Sequence, residues 1–376
     1  MIYADNAATT KLDIDAFEAM KPFLLEEYGN ASQPYSFANS AKRALKKARE
    51  TIANCIGAFP DEIYFTSGGT ESDNWAIKKG ANTKGQIITS QIEHHAVLNS
   101  CRALELDGRK VVYLPVDRTG CVEKGDLIRA LDKNTSLVSI MFANNEVGSV
   151  QEIKELASIA HKYGALFHTD AVQAVGHVEI DVHELDVDFL SASAHKFNGP
   201  KGVGFLYVKR GNLIESYIDG GAQELERRAG TENVAAIVGM SIALKNNCDN
   251  IALNRRRILD LENLLVKKMS EEKISYIRNG ADNHLPGIIN LSFEGITGEQ
   301  ILHYLDMHHI CVSTGAACNG RKDVVSHVLR AIGVPDKYIH GTIRISLGKE
   351  NTELDVTSIV KEITSCIDKL SIAEGE

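Results

Sequence analysis

The chain has 376 residues, 44% of them hydrophobic and 24% charged, with a formal net charge of -9. That balance belongs to a globular protein with room for a large domain and a smaller one, and the negative charge excludes the dense positive surface of a nucleic-acid binder. No stretch reaches the ~20 apolar residues of a membrane span, the first residues show no secretory pattern, and the seven scattered cysteines form no C-x-x-C pair, which argues against a disulfide framework or structural zinc and for a cytoplasmic setting.

Lys42, Arg43, Lys46, Lys47 and Arg49 interleave with Ala41, Ala44, Leu45, Ala48 and Ile52 at helical spacing. This basic run therefore reads as the wet face of an amphipathic helix. Short β-rich runs follow at Glu62–Thr66, Gln86–Thr89, Lys110–Leu114, Leu137–Phe142, Ala165–His168, Asp188–Ser191 and Val203–Val208. Segments of helical length lie between most of them, among them Glu71–Lys79, Ala96–Leu106 and Ile153–Tyr163. Such alternation predicts parallel pairing, with helices covering both faces of the sheet. From about Asn254 a charged helix begins, and the alternation continues with strands at Gly287–Ser292 and Thr342–Ser346. Thr297-Gly-Glu-Gln300 is a capping-box start for a helix over Ile301–Met307. The last helix repeats Val356, Ile359, Val360, Ile363, Cys366, Ile367 and Leu370 on one face, which predicts Cys366 in a core. The expected fold is α/β: a large domain over 14–253 with a mainly parallel sheet flanked by helices, and a smaller α/β domain from 1–13 and 254–376.

Open parallel sheets bind ligands at the carboxyl ends of their strands, and polar groups gather there in this sequence. Phe65-Thr-Ser-Gly-Gly-Thr70 leads from a strand into a helix. Its glycines let backbone N–H groups approach an anion, so Gly69 and Thr70 form a candidate phosphate seat; a plain turn with Thr70 as N-cap is the alternative. Asp170 ends a strand, with Gln173 three residues on. A carboxylate there could keep a pyridine nitrogen protonated, or be an ordinary strand-end acid. Lys196 follows an apolar strand, behind Ser193 and His195. Burial would make its amine able to form a Schiff base, and its two neighbours could donate to a phosphate; a solvated lysine is the alternative. His94 could stack on a ring or move a proton, with His95 as its competitor, and Asn145 could hold a ring oxygen. Core-histidine and turn-asparagine readings stand beside these. Arg344, in an alternating strand, suits two-pronged capture of a carboxylate or a place on a sheet edge. Cys318 sits among small residues in Val312-Ser-Thr-Gly-Ala-Ala-Cys-Asn-Gly320, and is either an incidental loop cysteine or an accessible nucleophile. Taken together, these groups suit one ligand: pyridoxal phosphate (PLP) carrying an amino acid.

The ordered motifs are Ala4-Asp-Asn-Ala-Ala-Thr9, Ser67-Gly-Gly-Thr-Glu-Ser-Asp-Asn74, Glu93-His-His-Ala-Val97, Asn144-Asn-Glu-Val-Gly148 and His168-Thr-Asp-Ala-Val-Gln173. They continue with Ser193-Ala-His-Lys-Phe-Asn-Gly-Pro-Lys-Gly202, Arg228-Ala-Gly-Thr-Glu-Asn233, Gly315-Ala-Ala-Cys318 and Arg344-Ile-Ser-Leu-Gly348. Over essentially its whole length the chain resembles the cysteine desulfurases, the NifS/IscS-like group of the class V aminotransferases with fold type I. The resemblance implies that Lys196 carries PLP as a Schiff base, Asp170 pairs with the ring nitrogen, Gln173 with the ring hydroxyl, and His94 stacks on the ring. It implies that Gly69, Thr70, Ser193 and His195 hold the phosphate, with Thr231 reaching the cofactor of a neighbouring subunit in a homodimer. Asn145 and Arg344 would bind the carboxylate of L-cysteine. Cys318 would take its sulfur as a persulfide, releasing alanine, and pass the sulfur to an acceptor such as an iron–sulfur scaffold. The long segment from Cys318 to Ser326 resembles the subgroup that delivers sulfur in this way. Ala31 and Tyr35 in Gly29-Asn-Ala-Ser32 and its sequel, and Leu225, depart from the commoner family pattern. A related class V enzyme, such as a selenocysteine lyase or an aminotransferase, is the alternative, and a non-catalytic scaffold a more distant one.

Overall fold

The structure, a computed structural model, describes residues 1–80, 85–272, 274–314 and 325–373. In chain order its strands are β1 (Ile2–Tyr3), β2 (Ile63–Thr66), β3 (Gln86–Ser90), β4 (Val111–Leu114), β5 (Thr135–Ser139) and β6 (Leu166–Asp170). They continue with β7 (Phe189–Ser193), β8 (Gly204–Val208), β9 (Tyr276–Asn279), β10 (Ile288–Phe293), β11 (Ile310–Cys311) and β12 (Thr342–Ser346). The central sheet runs β2-β8-β7-β6-β5-β3-β4. Strands β4, β3, β5, β6 and β7 pair in parallel, whereas β8 is antiparallel to both β7 and β2. The reversal at β8 follows from its link to β7, which is too short for a parallel crossover and turns at Gly199–Gly202.

Four helices precede the middle of the sheet: α1 (Ile14–Leu25), α2 (Asn39–Cys55), α3 (Gly69–Lys79) and α4 (His95–Leu106). On one sheet face Trp75 and Ile77 of α3 and Val97 and Cys101 of α4 pack with Leu137 and Phe189. The other face carries α2, Ile153–Lys162 and Val234–Cys248, whose Leu45, Ile52, Leu156, Met240 and Leu244 pack with Phe167 and Leu190. Phe167 and Phe189 are fully buried, and burial of each such side chain contributes roughly 1.5–3 kcal/mol. Lys42, Arg43, Lys46 and Lys47 are exposed opposite Ala41, Leu45, Ala48 and Ile52, which are buried as the spacing predicts. Arg49 departs from the expected wet face and turns inward, pairing with the buried Glu224 and stacking over Phe65.

The second core lies around a three-stranded sheet in the order β12-β10-β9. Leu261, Leu265, Leu305, Val356, Ile363 and the fully buried Cys366 cover Ile289 and Ile343 there. Its strands are antiparallel; for β9 and β10 the link from Asn279 to Ile288 falls short of the dozen or so residues of a parallel crossover. The first residues of the chain join the two cores. β1 pairs with β11, Asp5 bridges to Ser346, Thr10 N–H bonds to His195 C=O at 2.9 Å, and Asp13 N–H to Asn198 C=O at 2.8 Å. This segment therefore crosses directly beside Lys196. Among the described residues, no helix is long and apolar enough to cross a membrane.

Candidate active site

The ends of neighbouring parallel strands build one cavity. β3 leads to His94, β5 to Met141, Ala143 and Asn145, β6 ends on Asp170, and β7 leads through Ser193 to His195 and Lys196. All of these side chains line a cavity of about 390 Å³, together with Asp5, Gly69, Thr70, Asp73, Gln173 and Arg344. Ten of the twelve site residues predicted from sequence meet in this one space. Thr231 is exposed and lies outside it, and Cys318 lies outside the described residues. The chain leading toward Cys318 does touch the cavity, since Ser313 forms part of its wall.

The two adjacent histidines have different surroundings. His94 caps α4, its Nδ1 accepting from the Ala96 N–H at 3.2 Å. That bond assigns the ring hydrogen of the neutral imidazole to Nε2. Burial holds the His94 pKa below its ordinary value, against the pull of Asp170. The His95 ring instead meets His327 at 4.8 Å, edge to face. Lys196 donates from Nζ to Ala7 C=O at 2.6 Å and Ala8 C=O at 2.9 Å. Asp170 is buried and accepts the Val172 N–H at 2.9 Å. Burial raises its pKa, while His94 and Lys196 pull it down. Gln173 donates from Nε2 to Ala7 C=O at 3.0 Å, which leaves its Oε1 as the end for a donor.

Gly69, Thr70, Ser193 and His195 also line an adjoining space of about 330 Å³ with Ser67, Gly68 and Lys201. Here α3 begins at Gly69, with Gly68 at φ 148° as its cap. Thr70 is thus the second residue of the helix and not its N-cap. A helix start capped by glycine leaves N–H groups and the positive end of the dipole directed at this space. Gly69 permits a close approach: a Cβ there would lie 2.5 Å from Val172 Cγ2. Arg344 is buried, with Nη2 2.5 Å from Asp5 Oδ1 and Nη1 donating to Asn145 C=O at 2.9 Å. Its Nε has no hydrogen-bond partner among the described residues.

Asp5 and Asp73 were not singled out from sequence, although each sits inside a quoted motif. Asp73 lies three residues past Thr70, which puts both on one face of a helix, and that spacing was the available signal. For Asp5 the local sequence held none, because its partner is Arg344 at the other end of the chain.

The walls fit PLP at each of its functional ends. An amine stands ready for the aldehyde, a carboxyl for the ring nitrogen, and a helix start without a side-chain cap, beside hydroxyls, for the phosphate. Fold and cavity together define a PLP enzyme of the α/β kind. A family model described as aminotransferase class-V matches residues 2–359, and the chain belongs to that family. Its sequence is 49% identical over 375 residues to a protein of Dictyoglomus turgidum named cysteine desulfurase IscS, covering 98% of this chain and 95% of that one. Among solved structures it resembles a NifS-like protein with a TM-score of 0.92 and 39% identity, over 98% of this chain and 99% of the other. It also resembles SspA in complex with cysteine, with a TM-score of 0.84 and 36% identity, over 94% of this chain and 100% of the other.

Proposed function

We propose that this chain is a PLP-dependent cysteine desulfurase that converts L-cysteine to L-alanine and carries the sulfur away as a persulfide on Cys318. The observation that supports it best is the convergence of Lys196, Asp170, His94 and Arg344 on one cavity, in a chain 49% identical to a protein named cysteine desulfurase IscS. PLP, when bound, supplies an aldehyde that condenses with amines and a ring that accepts electrons from bonds of the attached amino acid.

The chain's own residues supply the rest. Lys196 brings the amine that holds the cofactor, and Asp170 the negative charge for the ring nitrogen. Gln173 presents Oε1 to the ring hydroxyl. The first turn of α3, with Ser193 and His195, receives the phosphate. Arg344 takes the substrate carboxylate beside Asn145, a pairing of planar fork and carboxylate that fixes orientation. His94, whose pKa burial lowers, can stack on the ring and give or take back the proton at Nε2, while Nδ1 accepts the Ala96 N–H. In the net reaction the Cys318 sulfur bonds to the substrate sulfur, the substrate's carbon–sulfur bond breaks, and that carbon gains a proton to become the methyl group of alanine.

Thr231, exposed and outside its own chain's cavity, supports a homodimer in which it reaches the partner's cofactor. The long segment after Cys318 supports delivery of the sulfur to an acceptor protein, such as an iron–sulfur scaffold, in the cytoplasm. The test supplies L-cysteine with a reductant and measures alanine and sulfide, expected in equal amounts. Cys318→Ser should keep the bound cofactor's absorbance and lose sulfide release. Full sulfide production by that variant would overturn the reading.

A further inference from the structure

Asp73 stands in the cavity wall without a part in the scheme above. It points from α3 toward the sheet face that carries His168, Asp170 and Ser191. His168 and Asp170 are two residues apart on β6 and so share that face, and Ser191 of β7 is the ladder partner of Asp170. The Asp73 side chain is 1% exposed, and its Oδ1 has no hydrogen-bond partner among the described residues.

The groups around it are neutral or negative. His168 Nε2 lies 3.6 Å from Asp73 Oδ1, beyond a hydrogen bond. His168 is itself fully buried, with Ser139 Oγ 2.8 Å from Nδ1 and Ser191 Oγ 3.0 Å from Nε2. Complete burial, with only a hydroxyl on each nitrogen, disfavours the charged imidazole. The Ser191 hydroxyl also hydrogen-bonds Asp73 and favours its ionised form, but burial and the neighbouring Asp170 carboxyl outweigh it and raise the Asp73 pKa. The remaining groups that act on Asp73 are carboxyls: Asp170, and Glu93, which is fully buried and bonded to the Ser90 hydroxyl at 2.6 Å and the Met141 N–H at 2.9 Å. The cations of the cavity, Lys196 and His94 when protonated, act on Asp170 instead. Two carboxyls in one enclosed wall do not both ionise, and the proton goes to the one without a cation.

We propose that Asp73 is a positioning residue that carries the proton of an Asp73–Asp170 carboxyl pair, leaving the pair's single negative charge on Asp170 at the ring-nitrogen end of the cofactor. The proposal rests on the Asp170 reading given above. An ionised Asp73 would push Asp170 toward protonation and remove the charge that the ring nitrogen needs.

The test compares wild-type and Asp73→Asn holoenzyme in thermal unfolding from pH 5 to 8. A buried neutral acid stabilises the fold fully below the ordinary carboxylate pKa of about 4. That contribution falls as pH rises, because the unfolded chain ionises and the folded one does not. The amide removes this slope, so the folding equilibrium of the variant should gain on the wild type by up to about tenfold per pH unit. A difference that stays constant with pH overturns the proposal. Should the variant not fold, infrared spectra of wild-type enzyme with carbon-13 aspartate decide at pH 7: a protonated aspartic acid band supports the proposal and its absence rejects it. Asp170→Asn separates the two readings. That variant should lose cofactor on dialysis, and if it keeps both cofactor and spectrum, the Asp170 role fails while the Asp73 slope is still measured independently.

Discussion

The Arg344 guanidinium is already engaged by a carboxylate, with Nη2 2.5 Å from Asp5 Oδ1. An incoming substrate carboxylate therefore competes with, or shares, an internal anion. Arg344→Lys loses the planar fork, and charge-assisted bonds of this kind contribute about 1.5–3 kcal/mol. The KM for L-cysteine should rise roughly 10–100-fold, with the bound cofactor's absorbance retained. Asp5→Asn should lower KM. Steady-state kinetics with both variants checks the competition, and a KM unchanged in Arg344→Lys counts against the carboxylate role.

Gly69 is the tightest point of the anion seat. A methyl group there meets Val172 Cγ2 at 2.5 Å, and Val172 lines the cavity. Gly69→Ala should press Val172 into the cofactor space at a cost of about 1–3 kcal/mol. Cofactor retention, followed by absorbance during dialysis, should weaken by about tenfold or more.

His168 makes the protein sensitive to acid. Burial pushes its pKa down to about 3, against about 6.5 in the unfolded chain. Between these values the unfolded state binds the extra proton, so stability is complete above pH 6.5 and falls as pH drops toward 3. The slope reaches about 1.4 kcal/mol per pH unit. His168→Gln should flatten the dependence of the melting temperature on pH between about 6.5 and 4.

Ser326, just beyond the segment that bears Cys318, donates its hydroxyl to Glu146 Oε2 at 2.6 Å. Glu146 is buried, which pushes its carboxyl up to about 7, and the Ser326 bond favours the ionised form. Ser326→Ala leaves that oxygen without its donor and should cost about 1–3 kcal/mol. The fall in melting temperature should be larger above pH 7 than below it, because the ionised carboxyl is the form that needs the hydrogen.

Much of the architecture was legible because it is local. Hydrophobic runs between turn residues placed Gln86–Thr89, Val203–Val208 and Thr342–Ser346 within a residue of the observed strands. The rule that ligands gather at strand ends then selected Asp170, Ser193, His195 and Lys196, which do meet in one cavity. Where the expected and observed boundaries differ, the cause is hydrogen bonding across the sheet. The run predicted as a strand to Phe142 leaves the ladder after Ser139, although the N–H groups of Ile140 and Phe142 still bond to His168 and Asp170.

What periodicity could not reach depends on contacts between distant segments. His94 and His95 are equivalent by composition, and they separate only because the start of α4 turns one ring to the cavity and the other to His327. The reversal of β8 depends on the length of a link, and the union of Asp5 with Arg344 on the crossing of the first residues between two cores. Asp73 reads as an ordinary polar residue of a helix until packing shuts it in beside Asp170. Local sequence decides which side chains are available and which face they take; charge, proton and partner are decided where low dielectric and long-range packing bring those side chains together.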